Sequence, residues 1–338
     1  MNNIPVLTIG ITSYKRVNEL IRSIKSVQTK YIDDIEIVVS EDCSPLSTEI
    51  GEVVAKLQSE SQYHIRFMPN EHNLGYDMNL GSIISKSRGK FIFFLSDDDA
   101  IYEDSLDNII SFLKSDNIGH YGVLYAPFIY KSTGLKDRNR GNKDKIIPYG
   151  EKSASKYIYD SILFSGLIFR REFVVDFDSS KFKNMNYFQV YMFLKMLFHY
   201  GGYYFSYPSI LCVADGENAY GIAESSGGNE LLANRESIMS ILEFNKTLIQ
   251  VIRLFDEEEG TDVFHSFEKQ YSLHSYSGLS IARRNGKGYF YNYWEKLNSL
   301  NIKLYPIVKL YYFSLLFMGS NVCDWLTKGI KKQLKNRE

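Results

Sequence analysis

Over its first hundred residues the chain alternates between two hydrophobic periods, and that alternation limits the folds open to it more than any other feature. "PVLTIGIT" is a short apolar, β-rich run, and "NELIRSIKSVQTK" then sets Leu20, Ile21, Ile24 and Val27 on one helical face. "IEIVVSED" is a second buried strand, followed by a helix, "TEIGEVVAKLQSE", with Ile50, Val53, Val54 and Leu57 inward. "HIRFMPN", "GYDMNLGSIISKS" and "KFIFFLSDDD" supply a third strand, a third helix and a fourth strand. Alternation with connections this short predicts a parallel sheet covered by helices on both faces. Ligands of such sheets sit at the carboxyl ends of the strands.

Those ends are polar in every case: "TSYKR" after strand one, "SEDCS" after strand two, "NEHNLG" after strand three and "SDDD" after strand four. N-caps alone account for Ser, Asp and Asn in one such loop. Four in succession point to a shared crevice. In the last of them, five apolar residues are followed by a serine and three carboxylates, which repel one another unless a positive group sits among them. Either they are solvated in a turn or they hold a cation. Hard oxygen ligands of this kind suit Mg²⁺ or Mn²⁺, whose charge offsets that of a departing nucleoside diphosphate. There is no GxxxxGK[ST] run and no GxGxxG after strand one, so a P-loop or dinucleotide fold is poorly supported.

With 338 residues, 44% hydrophobic and 23% charged, the chain is expected to bury a large core in one domain, or in a domain with an appendage. The net charge of -1 gives no reason to expect a nucleic-acid partner. Cys43, Cys212 and Cys323 are odd in number and far apart, which argues for a reducing compartment. "MNNIPVLTIG" lacks the basic segment and long apolar core of a signal peptide, so the expectation is a cytoplasmic protein.

Three blocks, "IGITSYKRVNELIRSIKSV", "IEIVVSEDCSP" and "NEHNLGYDMNLGSIISKSRGKFIFFLSDDDAIYEDSLDNI", taken in this order, resemble the N-terminal half of glycosyltransferase family 2, the nucleotide-sugar enzymes of the GT-A fold. The chain is most similar to the branch of abequosyltransferases and related O-antigen sugar transferases, closely over residues 4–113 and more loosely to residue 220. The resemblance implies an α/β fold: a Rossmann-like mixed, mainly parallel sheet flanked by helices. It also implies roles. Thr12 and Tyr14 would lie beside the nucleobase, Arg16 near the base or ribose, and Asp42 would hydrogen-bond the base. Asn73, Gly75 and Asn79 would sit at the sugar and diphosphate, and Asp98 and Asp99 would hold Mn²⁺ or Mg²⁺. The family's usual first Asp is Ser96 here, so either Asp97 substitutes on the nucleotide-sugar side or the metal has fewer protein ligands. Taken without the resemblance, Asp42 is equally a turn cap, Asn73 a turn residue and Asn79 a solvated helix position.

In the resembled family the middle of the chain forms the acceptor side, where a carboxylate usually serves as general base for inverting transfer. "YFQVYMF" has Gln189 where many relatives carry an acid. Asp178 and Asp215 are the nearest candidates, and both are equally turn residues, so stereochemistry stays open. "ADGENAYGIAESSGGNE" reads as a loop, either a lid over the diphosphate or an ordinary surface segment.

The expected division is a catalytic domain over residues 1–227 and a helical region over 228–338. No stretch is apolar for the about 20 residues that cross a bilayer. The final segment joins "LYYFSLLFMG" to "KKQLKNR", which suits a helix lying on an anionic membrane surface, or equally a packed appendage with a solvated tail. Two functions follow. One is metal-dependent transfer from a nucleotide-diphosphate sugar to a bacterial surface polysaccharide on a polyprenyl-diphosphate carrier, at the inner face of the cell membrane. The other is a non-catalytic nucleotide-sugar-binding or assembly subunit.

Overall fold

The alternation in the sequence is realised strand by strand: β1 (Leu7–Ser13), α1 (Val17–Ser26), β2 (Ile35–Glu41), α2 (Ser47–Glu60), β3 (His64–Phe67), α3 (Tyr76–Lys86) and β4 (Phe91–Ser96). The structure is a computed structural model and describes residues 4–138, 140–213 and 235–335. It continues through β5 (Ala100–Ile101), α4 (Ser105–Leu113), β6 (Val123–Tyr125), β7 (Phe128–Tyr130), β8 (Lys136–Asp137), β9 (Lys145–Ile147) and α5 (Glu151–Tyr157). Then come β10 (Leu167–Arg170), α6 (Arg171–Val174), α7 (Phe188–His199), β11 (Gly202–Tyr204) and β12 (Ile210–Cys212). Five helices follow: α8 (Arg235–Glu259), α9 (Val263–His274), α10 (Tyr276–Arg284), α11 (Lys287–Asn298) and α12 (Pro306–Lys335).

The chain divides into two compact units, one of Met1–Gly216 with Val251–Thr261, the other of Glu217–Gln250 with Asp262–Glu338. The first holds both sheets. Its eight-stranded sheet runs β3-β2-β1-β4-β10-β6-β11-β9, and a four-stranded sheet runs β5-β12-β7-β8. β3, β2, β1 and β4 are parallel, β10 is antiparallel to both its neighbours, and β11 is parallel to β6. The sheet is therefore mixed, as expected.

Period-two alternation sends Leu7, Ile9 and Ile11, Ile35, Ile37 and Val39, and Phe91, Phe93 and Leu95 into one cluster with Leu20 and Ile24 of α1, Ile50 and Val54 of α2, and Leu106 and Ile110 of α4. Each fully buried side chain of this size contributes about 1.5–3 kcal/mol, so the sheet holds its ends rigidly. On the other face α3 approaches closely because β1 carries Gly10; a Cβ there would lie 2.4 Å from Ile83 Cγ2. Buried Glu36 secures the amino end of β2: Thr8 Oγ1 (2.7 Å) and Arg88 N (2.6 Å) donate to one oxygen, Arg66 Nη1 (3.0 Å) to the other. Burial raises its pKa, but these donors outweigh burial and hold it below the usual carboxylate range.

The second unit is helical. In it, Asp324 on α12 accepts from Tyr276 and Ser280 of α10 and pairs with Arg284. Among the described residues no helix is long and apolar enough to cross a membrane.

Candidate active site

The parallel register aligns the carboxyl ends of three strands: Thr12 of β1 lies opposite both Ser40 of β2 and Ser96 of β4, and Ser13 lies opposite Glu41. The loops that follow form two polar clusters.

At the end of β4 the charge among the three carboxylates is supplied by the protein itself. Arg16 Nη1 lies 2.9 Å from Asp97 Oδ1 and 2.8 Å from Asp98 Oδ2. Tyr14 N donates to Asp97 Oδ2 at 3.2 Å, and Lys15, between these two donors, has a positive φ of 64°. Ser96 Oγ donates to Asp98 Oδ1. Ser96, where the resemblance implies an acid, therefore orients Asp98. Arg22 Nη2 donates to Asp98 O (2.9 Å), Ser23 Oγ to Ser96 O (3.2 Å), and Ser96 N to Ser165 Oγ (3.1 Å). Asp97 and Asp99 are buried, whereas the Asp98 side chain is 22% exposed. The Asp97 carboxyl is pushed up to about 7: burial and the neighbouring Asp98 raise it, against Arg16 and Tyr14 N, which lower it. Burial lowers the Arg16 pKa, but attraction to Asp97 and Asp98 prevails and raises it.

At the end of β2 the acidic residue is engaged differently. Asp42 accepts from Asn70 Nδ2 (2.9 Å) and Leu74 N (2.8 Å) on one oxygen and from Gly75 N (2.9 Å) on the other. Gly75 caps α3 with φ +79°, a conformation that side chains disfavour, and its N–H is also reached by Asn73 Oδ1 at 3.0 Å. Asp42 thus already occupies the amino end of α3, where an anion would otherwise be drawn. Asn79 is buried beneath it, bonded to Ser40 Oγ (2.7 Å), Ser40 O (3.2 Å) and Asn70 (3.0 Å). Neighbouring Glu41 is fully buried; one oxygen accepts from Ser44 N at 2.8 Å, while Oε2 has no hydrogen-bond partner among the described residues, nor does Ser13 Oγ opposite.

The structure thus brings Thr12, Tyr14, Arg16, Asp97 and Asp98 to the ends of β1 and β4, and Asp42, Asn73, Gly75 and Asn79 to the end of β2 and the start of α3. Asp178 is the exposed cap of a turn: its Oδ1 accepts from Ser180 Oγ (2.6 Å) and Ser180 N (3.0 Å), and those bonds lower its pKa. Asp215, with the loop expected to act as a lid, lies outside the described residues. Gln189 is buried and donates to Ile162 O at 3.0 Å.

Several site-side residues carry no readable signal in the sequence. Arg138 is buried and grips the segment behind β4 through Ser165 O (2.8 Å) and Leu163 O. Burial lowers its pKa to about 10, against Asp160, Tyr125, Asp137 and Asp99, which raise it. Asp160 binds Tyr125 Oη (2.9 Å) and Arg140 Nε (2.9 Å). Asp77 of α3 accepts from Asn186 N (2.8 Å) and Phe188 N (3.0 Å), capping α7; burial raises its pKa despite these bonds.

Among the described residues no three His, Cys, Asp or Glu side chains converge as a metal cage. Mg²⁺ and Mn²⁺ at phosphate sites seldom need one, because substrate oxygens supply most of the shell and one or two carboxylates suffice. Asp98, partly exposed and backed by Asp97, fits that arrangement.

The family described as Glycosyl transferase family 2 matches residues 8–176. A GalNAc(5)-diNAcBac-PP-undecaprenol beta-1,3-glucosyltransferase of Campylobacter jejuni is 29% identical over 137 residues, 40% of this chain and 43% of that protein. Abequosyltransferase RfbV of Salmonella typhimurium is 31% identical over 113 residues, 32% of this chain and 33% of its own length. The matches span less than half of either relative. The mannosyltransferase PcManGT of Pyrobaculum calidifontis, solved with GDP-Man and Mn2+, superposes with a TM-score of 0.51 at 13% identity over 94% of this chain and 87% of that one. That likeness shows the fold, the GT-A type expected from the sequence.

Proposed function

The chain belongs to glycosyl transferase family 2, and we propose that it moves a sugar from a nucleotide-diphosphate sugar to a saccharide acceptor, lipid-linked, in building a bacterial surface polysaccharide at the inner face of the cell membrane. The observation that carries this is the Arg16–Asp97–Asp98 cluster at the aligned ends of β1 and β4. Support for the donor class comes from the GDP-Man and Mn2+ held by the mannosyltransferase of like fold, and for the acceptor class from the undecaprenol-linked substrate in the name of the Campylobacter relative.

In this proposal Thr12, Tyr14 and Arg16 receive the nucleoside. Glu41 joins them, because its unmatched buried oxygen suits an N–H of the base. Asp42 acts through Leu74 and Gly75, fixing the loop that carries Asn73 beside the sugar and diphosphate. Asp98 would hold Mn²⁺ or Mg²⁺, which when bound offsets the charge of the departing diphosphate. Asp99, which the sequence pairs with it as a ligand, is buried like Asp97 and feels the charge of Arg138. Arg16, paired with both carboxylates, would offer its guanidinium to a phosphate of the donor.

A second reading, nucleotide-sugar binding without transfer, is favoured by one observation: Gln189, where the resemblance implies an acid, is a buried amide bonded to Ile162 O. A panel of UDP-, GDP-, CDP- and dTDP-sugars, with and without Mn²⁺, read by mass spectrometry, separates the two. Transfer or hydrolysis with one nucleotide class is the expected result. Thermal stabilisation by a donor with no turnover on any acceptor would leave only the binding role.

A further inference from the structure

α12 is apolar on more of its circumference than packing on its own unit requires. Its inward side is complete: Val308, Leu315 and Cys323 are buried, Tyr312 stacks on Phe290 and Trp294, Arg283 Nε donates to Leu315 O at 3.0 Å, and Asp324 is held by α10. Yet the outward side is apolar as well. Leu310, Phe313 and Phe317 follow at intervals of three and four residues before the break at Gly319 (φ 77°), and beyond the break Val322 and Trp325 are three apart and also exposed, with Met318 exposed beside the break. Phe317 is 80% exposed and Trp325 72%. Between Lys309 and Thr327 the exposed positions include one polar residue, Asn321, and no charge.

We infer, deepening the transfer proposed above, that this outer face seats the second unit on an anionic lipid surface, where a lipid-linked acceptor is met. Charge supports that occupant. The apolar stripe is flanked by Lys309 at one end and in sequence by Lys328, Lys331, Lys332, Lys335 and Arg337 at the other, whose side chains lie outside the described residues. The acid described on this helix, Asp324, is turned to α10. Aromatic and aliphatic side chains edged by lysines match the boundary between acyl chains and anionic headgroups. A second copy of the chain is the competing occupant, and the oligomeric state in solution tests for it. Exposed apolar area of this extent on a folded unit marks an interaction surface.

The test is sedimentation of the full-length chain with vesicles of phosphatidylcholine alone or of equal parts phosphatidylcholine and phosphatidylglycerol, without donor or acceptor, so that it does not depend on turnover. Binding to the anionic vesicles is expected, weakened by salt and reduced roughly tenfold or more in the double variant Phe317→Ser, Trp325→Ser. Both side chains are largely in solvent, so circular dichroism and melting of the variant should be unchanged. In a Trp294→Phe background, anionic vesicles should shift Trp325 emission to the blue. Failure of the folded parent to sediment with either vesicle, or a dimer in light scattering that the double variant dissolves, overturns the lipid assignment while leaving the transferase proposal standing.

Discussion

The ends of β2 and β4 carry the same kind of sequence, an apolar run closed by acidic residues, but the structure uses them differently. Asp42 is met by two backbone N–H groups and an amide side chain from a single loop, all part of the protein's permanent hydrogen-bonding. Asp97 and Asp98 share the guanidinium of Arg16, a side-chain cation, with Tyr14 N and Ser96 Oγ as further donors. Backbone donors from one loop fix a carboxylate in the fold, whereas a shared side-chain cation balances the charge of two.

The largest effect that would test this contrast is on turnover. Asp98→Asn should reduce sugar transfer or donor hydrolysis by about 10²–10³-fold with little change in melting temperature; a variant with normal turnover would break the distinction. Asp42→Ala should do the reverse first: denaturant titration should show a loss of about 2–3 kcal/mol, because buried donors lose their acceptor, with weaker donor binding following from a loosened loop. A smaller effect concerns pH. The folded-state pKa of Asp97 is raised from 3.8 to about 7, so the native state holds a proton that the unfolded state has released across that interval. This contribution to stability is therefore lost as pH rises from about 4 to 7, and Asp97→Asn should flatten that part of a melting-temperature profile. The smallest effect is expected at Asp178. Asp178→Ala should remove only the cap of a surface turn, lowering the melting temperature slightly and leaving turnover in place; a large drop in kcat would return it to the catalytic machinery.

Much of the first half of the fold was legible because long apolar strands and amphipathic helices each carry their own period. From β5 onward the strands are two to four residues long, too short to show alternation, and pair over large separations, as β6 does with β11. The site was legible in position more than in wiring. That acidic residues close β2 and β4 can be read from the letters, but that Arg16 bridges Asp97 and Asp98 from 82 or fewer positions away cannot, because at its own place it resembles any solvated residue before a helix. Arg138 is the clearest omission. It lies in "KDRNRGNKDK", a run that reads as solvent-facing charge, and is buried between the Phe128 ring of β7 and the carbonyls of Leu163 and Ser165 before β10. Glu41 was hidden by its neighbour: two adjacent acids at a strand end give no hint of which one keeps an unmatched oxygen.

The bond from Asp77 to the amides of residues 186–188 has a mechanical corollary. Asp42 anchors the first residue before α3, and Asp77, inside the first turn, anchors the first residues of α7 more than a hundred positions later. The two helices therefore share a strut at their starting points. A displacement of one when a donor arrives is transmitted to the other as a tilt, so amide exchange at residues 186–188 should slow together with that of α3 rather than independently.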